Sequence, residues 1–125
     1  MTKENYINEM LHAVEECRGN TCYDDYQIKL MKDNGTKLVN YLYDLKGTTY
    51  VLKEEGEEPK EVVIEFDKFK FGHNDFQIYC DDYLVKKCMK QIFTKMKDEE
   101  KIGSYGSNGW GTAFVISYDP WQELK

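Results

Sequence analysis

Arginine is nearly absent from this chain: Arg18 is the only one in 125 residues, and the other cationic side chains are lysines. Bidentate gripping of phosphate or carboxylate is arginine chemistry, so a phosphate-clamping surface is not expected. Proline is almost as scarce, with two residues, and so is histidine, with two. No apolar run approaches the roughly 18 residues that a transmembrane helix needs. The opening MTKENYINEM has no basic segment followed by an apolar one, so no secretory signal is expected. HExxH, GxSxG and paired zinc-ligand motifs are all missing, which moves the balance from catalysis towards binding. No internal repeat or low-complexity linker divides the chain, and residues 1–125 read as a single domain.

Acid and aromatic residues are what the chain has in quantity. Asp and Glu number 23 against 17 Lys and Arg, a net charge of −6. That balance disfavours direct nucleic-acid binding through a basic surface. Aromatics make up 14% of the chain, with ten tyrosines, too many for a disordered solvating polymer. The four cysteines stand at 17, 22, 80 and 88. Of their C-x4-C and C-x7-C spacings only the first fits a zinc-ligand pair, and Cys88 falls on the apolar face of a predicted helix, so they are expected as reduced thiols packed like small hydrophobes, with no metal and no cofactor.

Helical spacing is clear in two places. Tyr6, Ile7, Met10, Leu11, Val14 and Cys17 form one stripe over residues 3–17, with Thr2 as N-cap, Glu4 in the first turn and Gly19 as a stop. Leu84, Val85, Cys88, Met89, Ile92, Phe93 and Met96 form another over 82–97, with lysines on its solvent face. The remaining segments read as strands. Residues 22–32 lead to Asp33-Asn34-Gly35, a hairpin signal, and then to 36–45. A short helix through Leu38, Leu42 and Leu45 is the alternative for that last stretch. Further strands are expected at 48–54, 61–71, 76–80 (as a short edge strand) and 112–118, the last ended by Pro120. Short connections imply antiparallel pairing. The fold class predicted is α+β: a meander sheet of about five or six strands with two amphipathic helices on one face.

Three places hold candidate chemistry. Gly103, Gly106, Gly109 and Gly111 make a glycine-rich loop, but it leads into a strand and lacks the Lys-Ser or Lys-Thr of a phosphate loop. It reads instead as a mobile loop presenting Tyr105 and Trp110. His73 and Cys80 lie close in sequence, and a nucleophile–base pair would need them within hydrogen-bond reach. An ordinary turn histidine is the plainer reading of His73, and His12 falls on the charged face of the first helix. The doublets Asp24-Asp25, Asp81-Asp82 and Glu99-Glu100 read as capping or solvated carboxylates.

Charge is unevenly placed. Residues 51–75 carry eight acidic against four basic side chains, and residues 1–20 carry four against two; the rest is balanced. The densest point is Glu54, Glu55, Glu57, Glu58 and Glu61, which Glu65 and Asp67 would extend. A patch of this kind imitates nucleic-acid phosphates and speeds association with a cationic partner. With its length, acidity, tyrosine content and the EEGEEPKE cluster, the chain resembles the small acidic inhibitors of phages and mobile elements, anti-CRISPR proteins among them. By the same criteria it is similar to toxin-immunity proteins. The resemblance implies a non-enzymatic inhibitor in the cytoplasm of a bacterial host, binding a protein effector with a basic surface such as a CRISPR nuclease. Glu54, Glu55, Glu57, Glu58 and Glu61 would pair with its cations, and Tyr105 and Trp110 would anchor the contact. The alternatives are an immunity protein against a secreted toxin and, in another class, a small enzyme using the glycine-rich loop or Cys80 and His73.

Overall fold

A computed structural model describes residues 2–18 and 23–125. The first helix, α1, runs Lys3–Cys17 as the stripe predicts, and Thr2 caps it by accepting from the Asn5 amide at 3.2 Å. Tyr6, Met10, Ala13, Val14 and Cys17 form its buried face. Gly19, expected as the stop, and Cys22 lie outside the described residues.

The next segment corrects the sequence reading. Residues Asp25–Leu45 form one 21-residue helix, α2, in place of two strands and an Asn-Gly turn. A capping box starts it: Asp24 accepts from the Gln27 amide at 2.8 Å, and the Gln27 side chain accepts from the Asp24 amide at 3.1 Å. Ile28, Met31, Leu38 and Leu42 then bury one stripe, with Gly35 in its middle. Gly in a helix interior costs about 1 kcal/mol relative to Ala. Tertiary packing overrides that preference: a Cβ on Gly35 would lie 2.5 Å from the Met10 Sδ, so the glycine is what lets α1 lie close. Asn34, fully buried, is also used as a side chain rather than as a turn former. Its amide nitrogen donates to the Asp119 and Gln122 carbonyls, both at 2.8 Å, and its oxygen accepts from the Leu124 amide at 2.9 Å.

The strands form two antiparallel sheets, not one meander. Strands β1 (Thr49–Leu52) and β2 (Lys60–Val63) pair with Thr49 opposite Val63 and Leu52 opposite Lys60. Strands β3 (Lys68–Phe71), β4 (Asp75–Tyr79), β5 (Tyr105–Ser107) and β6 (Ala113–Ser117) assemble in the order β3-β4-β6-β5. The continuous strand expected over 61–71 is thus broken after Val63, because its two halves belong to different sheets. Ile64 and Phe66 in the break are still buried. β4, expected at an edge, is central between β3 and β6. The third helix, α3, covers Tyr83–Asp98, capped by Asp82, which accepts from the Val85 amide at 3.0 Å.

Register places Phe69, Phe71, Phe76, Ile78, Phe114 and Ile116 on one face of the larger sheet. Both outer helices touch that face. Tyr6 of α1 meets Phe69 with ring centres 4.8 Å apart, and Phe93 of α3 meets Phe114 at 5.1 Å. The smaller sheet lies along α3: Tyr50 donates to the Gln91 side chain at 2.8 Å, and Gln91 donates to the Lys53 carbonyl at 2.9 Å. One continuous apolar core results, with Leu52, Ile64, Phe76 and Phe93 in it.

Candidate functional site

The turn between β1 and β2 carries the acid cluster, and the structure divides it. Leu52 and Val62 face inwards and are buried, so alternation sends Val51, Glu61 and Val63 to the outer face, where all three are exposed. Gly56 turns the chain with a φ of +80°. Glu55, Glu57 and Glu58 are exposed at the tip. Glu57 lies 3.7 Å from Lys60, while Glu55, Glu58 and Glu61 make no ion pair among the described residues. Glu54 differs. It is half-buried and points at α3, with its carboxylate 2.8 Å from the Lys87 ammonium. That hydrogen bond holds the Glu54 carboxyl below its ordinary pKa and the Lys87 ammonium above its own. Glu54 is therefore the root of the acidic turn, and the other four carboxylates are its presented part. Glu65 and Asp67, also exposed, sit within the break between β2 and β3.

The two aromatic candidates are not brought together. Tyr105 lies in β5 opposite Ile116, half-buried against Phe93 at 5.2 Å, with its hydroxyl 3.2 Å from that of Thr94. It is a packing residue of an edge strand, not a loop anchor. Trp110 stands at the turn between β5 and β6 and is 88% exposed. The loop expected over 103–111 is largely structured. Gly103 lies against the Asp119 carboxylate with no room for a Cβ, and Gly111 has a φ of +70° in the turn. Asn108 holds that turn by accepting from the Thr112 and Ala113 amides at 3.0 and 3.3 Å.

Cys80 and His73 stand beyond opposite ends of β4 and do not form a pair. The Cys80 thiol donates weakly to the Glu65 carbonyl, and burial pushes its pKa up, which makes it a poorer nucleophile. His73 sits in the β3–β4 turn, as an ordinary turn histidine would. Its Nε2 lies 3.4 Å from Glu16, whose other oxygen is 2.8 Å from His12. Cys88 is a buried free thiol, and Cys17 is buried with its thiol donating to the Asn74 side chain at 3.3 Å. Among the described residues no three of His, Cys, Asp and Glu converge as a metal site. No described helix is long and apolar enough to cross a membrane.

Leu84, expected at the head of the apolar stripe, is instead exposed, because the buried face of α3 begins at Val85. Other surface residues carried no sequence signal. Tyr83 (68% exposed) opens α3 beside Leu84, and Lys87 lies 4.7 Å over the Tyr83 ring. Lys90 is exposed as the solvent-face reading expects, while Lys86 and Lys87 are half-buried, and the three line a cavity of about 190 Å³ whose far wall is the β5–β6 hairpin. Trp121 (76% exposed) meets Tyr23 edge-on on another face. Only the i, i+1, i+4 spacing of the lysines hinted at a shared wall.

No protein-family model, curated protein or solved structure matches the chain.

Proposed function

We propose that the protein is a non-enzymatic binding module that inhibits a protein effector by laying the β1–β2 hairpin over a cationic, nucleic-acid-handling surface. The observation that carries this reading is the divided acid cluster. Glu54 ties the hairpin to Lys87 of α3, while Glu55, Glu57, Glu58 and Glu61 project with almost no internal cation to neutralise them. Carboxylates fixed on a short, braced hairpin need little ordering on contact, so more of their attraction reaches the complex. Exposed Val51 and Val63 on the same face supply apolar area beside the charge, the combination found where interfaces pack closely. Trp110 is the aromatic anchor that the fold leaves available; Tyr105 is withdrawn from that role by its packing on Phe93.

An effector of the CRISPR nuclease class is the partner that fits, because its nucleic-acid channel presents lysine and arginine in register with phosphates. The test is retention of guide-loaded CRISPR nucleases on the immobilised protein at low and high salt, beside the variant E55K/E57K/E58K/E61K. Retention that falls steeply with salt and is lost in the variant is expected, with association slowed by ten-fold or more. Equal retention of the variant, or no retention of any nuclease by the wild type, overturns the reading.

A further inference from the structure

We propose that the cavity between α3 and the β5–β6 hairpin binds a small organic anion: one carboxylate or phosphate group on a flat apolar body. Two observations independent of the acidic hairpin carry this. The first is shape. The cavity holds about 190 Å³, below the range of drug-sized pockets and suited to a molecule of about one ring. The second is the division of its walls. Lys86, Lys87 and Lys90 line one side, while Phe114, Ser107 and Cys80 line the other.

The lysines are not equivalent. Lys87 is held by Glu54 of the β1–β2 turn at 2.8 Å, and Glu54 does not line the cavity, so this ammonium is committed elsewhere. Lys86 and Lys90 make no ion pair among the described residues, in a chain where acids outnumber bases by 23 to 17. Other lysines, Lys95 and Lys97 of the same helix included, also lack an ion pair among the described residues; what sets Lys86 and Lys90 apart is their place on a concave wall with an apolar one opposite. The nearest acid at the start of the helix, Asp82, already accepts from the Val85 amide at 3.0 Å as the cap. An anion between Lys86 and Lys90 would receive two charge-assisted hydrogen bonds, which are stronger than neutral ones. The Ser107 hydroxyl, on the exposed strand β5, adds a third donor from the opposite wall. The apolar body of the ligand would rest on Phe114, displacing water from a surface that cannot hydrogen-bond it.

The experiment is an amide chemical-shift titration of the full chain with benzoate, phenyl phosphate, inorganic phosphate and the uncharged benzyl alcohol. Saturable shifts at Lys86, Lys90, Ser107 and Gly111 are expected with benzoate or phenyl phosphate, and the stronger of the two identifies the acid group. Inorganic phosphate should bind at least several-fold more weakly, for want of the apolar body. K86Q/K90Q should weaken the better ligand ten-fold or more, and its own spectrum reports whether it is folded. S107W, which fills the cavity from the other wall, should abolish binding while leaving both lysines in place. Absence of saturable shifts with either aromatic acid overturns the proposal. So does equal binding of benzyl alcohol, or unchanged affinity in both variants. The acidic hairpin is untouched in each variant, so retention of a nuclease is a separate readout.

Discussion

At the scale of single residues, Asn34 and Gly35 do the most unexpected work. The Asn34 amide closes three hydrogen bonds to residues 119, 122 and 124 at the centre of a buried contact. Asn34→Ala would leave two carbonyls and one amide without partners, a loss of about 3 kcal/mol. A urea titration should show the midpoint falling with little change in slope; a drop worth under 1 kcal/mol would mean water replaces the amide at no penalty. Gly35→Ala pits a gain of about 1 kcal/mol in helix propensity against overpacking on Met10, which is fully buried. The expected net effect is a loss of 1–2 kcal/mol, on the order of a typical overpacked core. In a Met10→Ala background the same substitution should turn neutral or stabilising, and a loss of equal size there would place the strain elsewhere than at Met10.

At the scale of elements, α1 and α2 are joined by charge as well as by packing. The lone arginine grips Glu15 through two nitrogens, at 2.8 and 3.2 Å, and also meets Asp25 of α2, while Lys32 of α2 reaches Glu15. Arg18 first and Lys32 second hold the Glu15 carboxyl down from an ordinary 4.5 to about 2. Because the folded value is the lower one, its stabilisation is complete above about pH 4.5 and disappears as pH falls towards 2. Glu15→Gln should therefore melt below wild type near neutral pH, by a small margin since the groups are exposed. The two melting curves should converge in acid; a constant gap across that window would show that the carboxylate charge is not what matters. How legible these elements are follows from the same physics. The stripes of α1 and α3 are unbroken, so periodicity finds them. In α2 a glycine occupies a buried position of the stripe and contributes no apolar signal, while Asn34-Gly35 offers a local turn preference that only Met10 and residues 119–124 overrule. The acidic turn is local and was readable in full, but the inward fold of Glu54 depends on a lysine in α3. The cavity was hidden for a related reason: a helical wheel shows which lysines share a face, not that a hairpin will stand opposite them.

At the scale of the whole molecule, the net charge of −6 conceals a separation of sign, with carboxylates on the β1–β2 turn and unmatched lysines on the neighbouring stretch of α3. Both tryptophans are outside the core, Trp110 at 88% and Trp121 at 76% exposure. The folded protein should thus emit tryptophan fluorescence as red as the unfolded chain, while circular dichroism reports a cooperative loss of helix. A blue-shifted native emission that disappears on dilution would show one tryptophan covered by a second copy. The hydrogen bonds of Asn34 also set an order of events during synthesis. Its partners are encoded 85 to 90 residues downstream, so α1 and α2 leave the ribosome well before the segment that closes over them exists. Through that interval the pair must wait with an unmatched amide and an open apolar seam, the state in which nascent chains aggregate or engage chaperones.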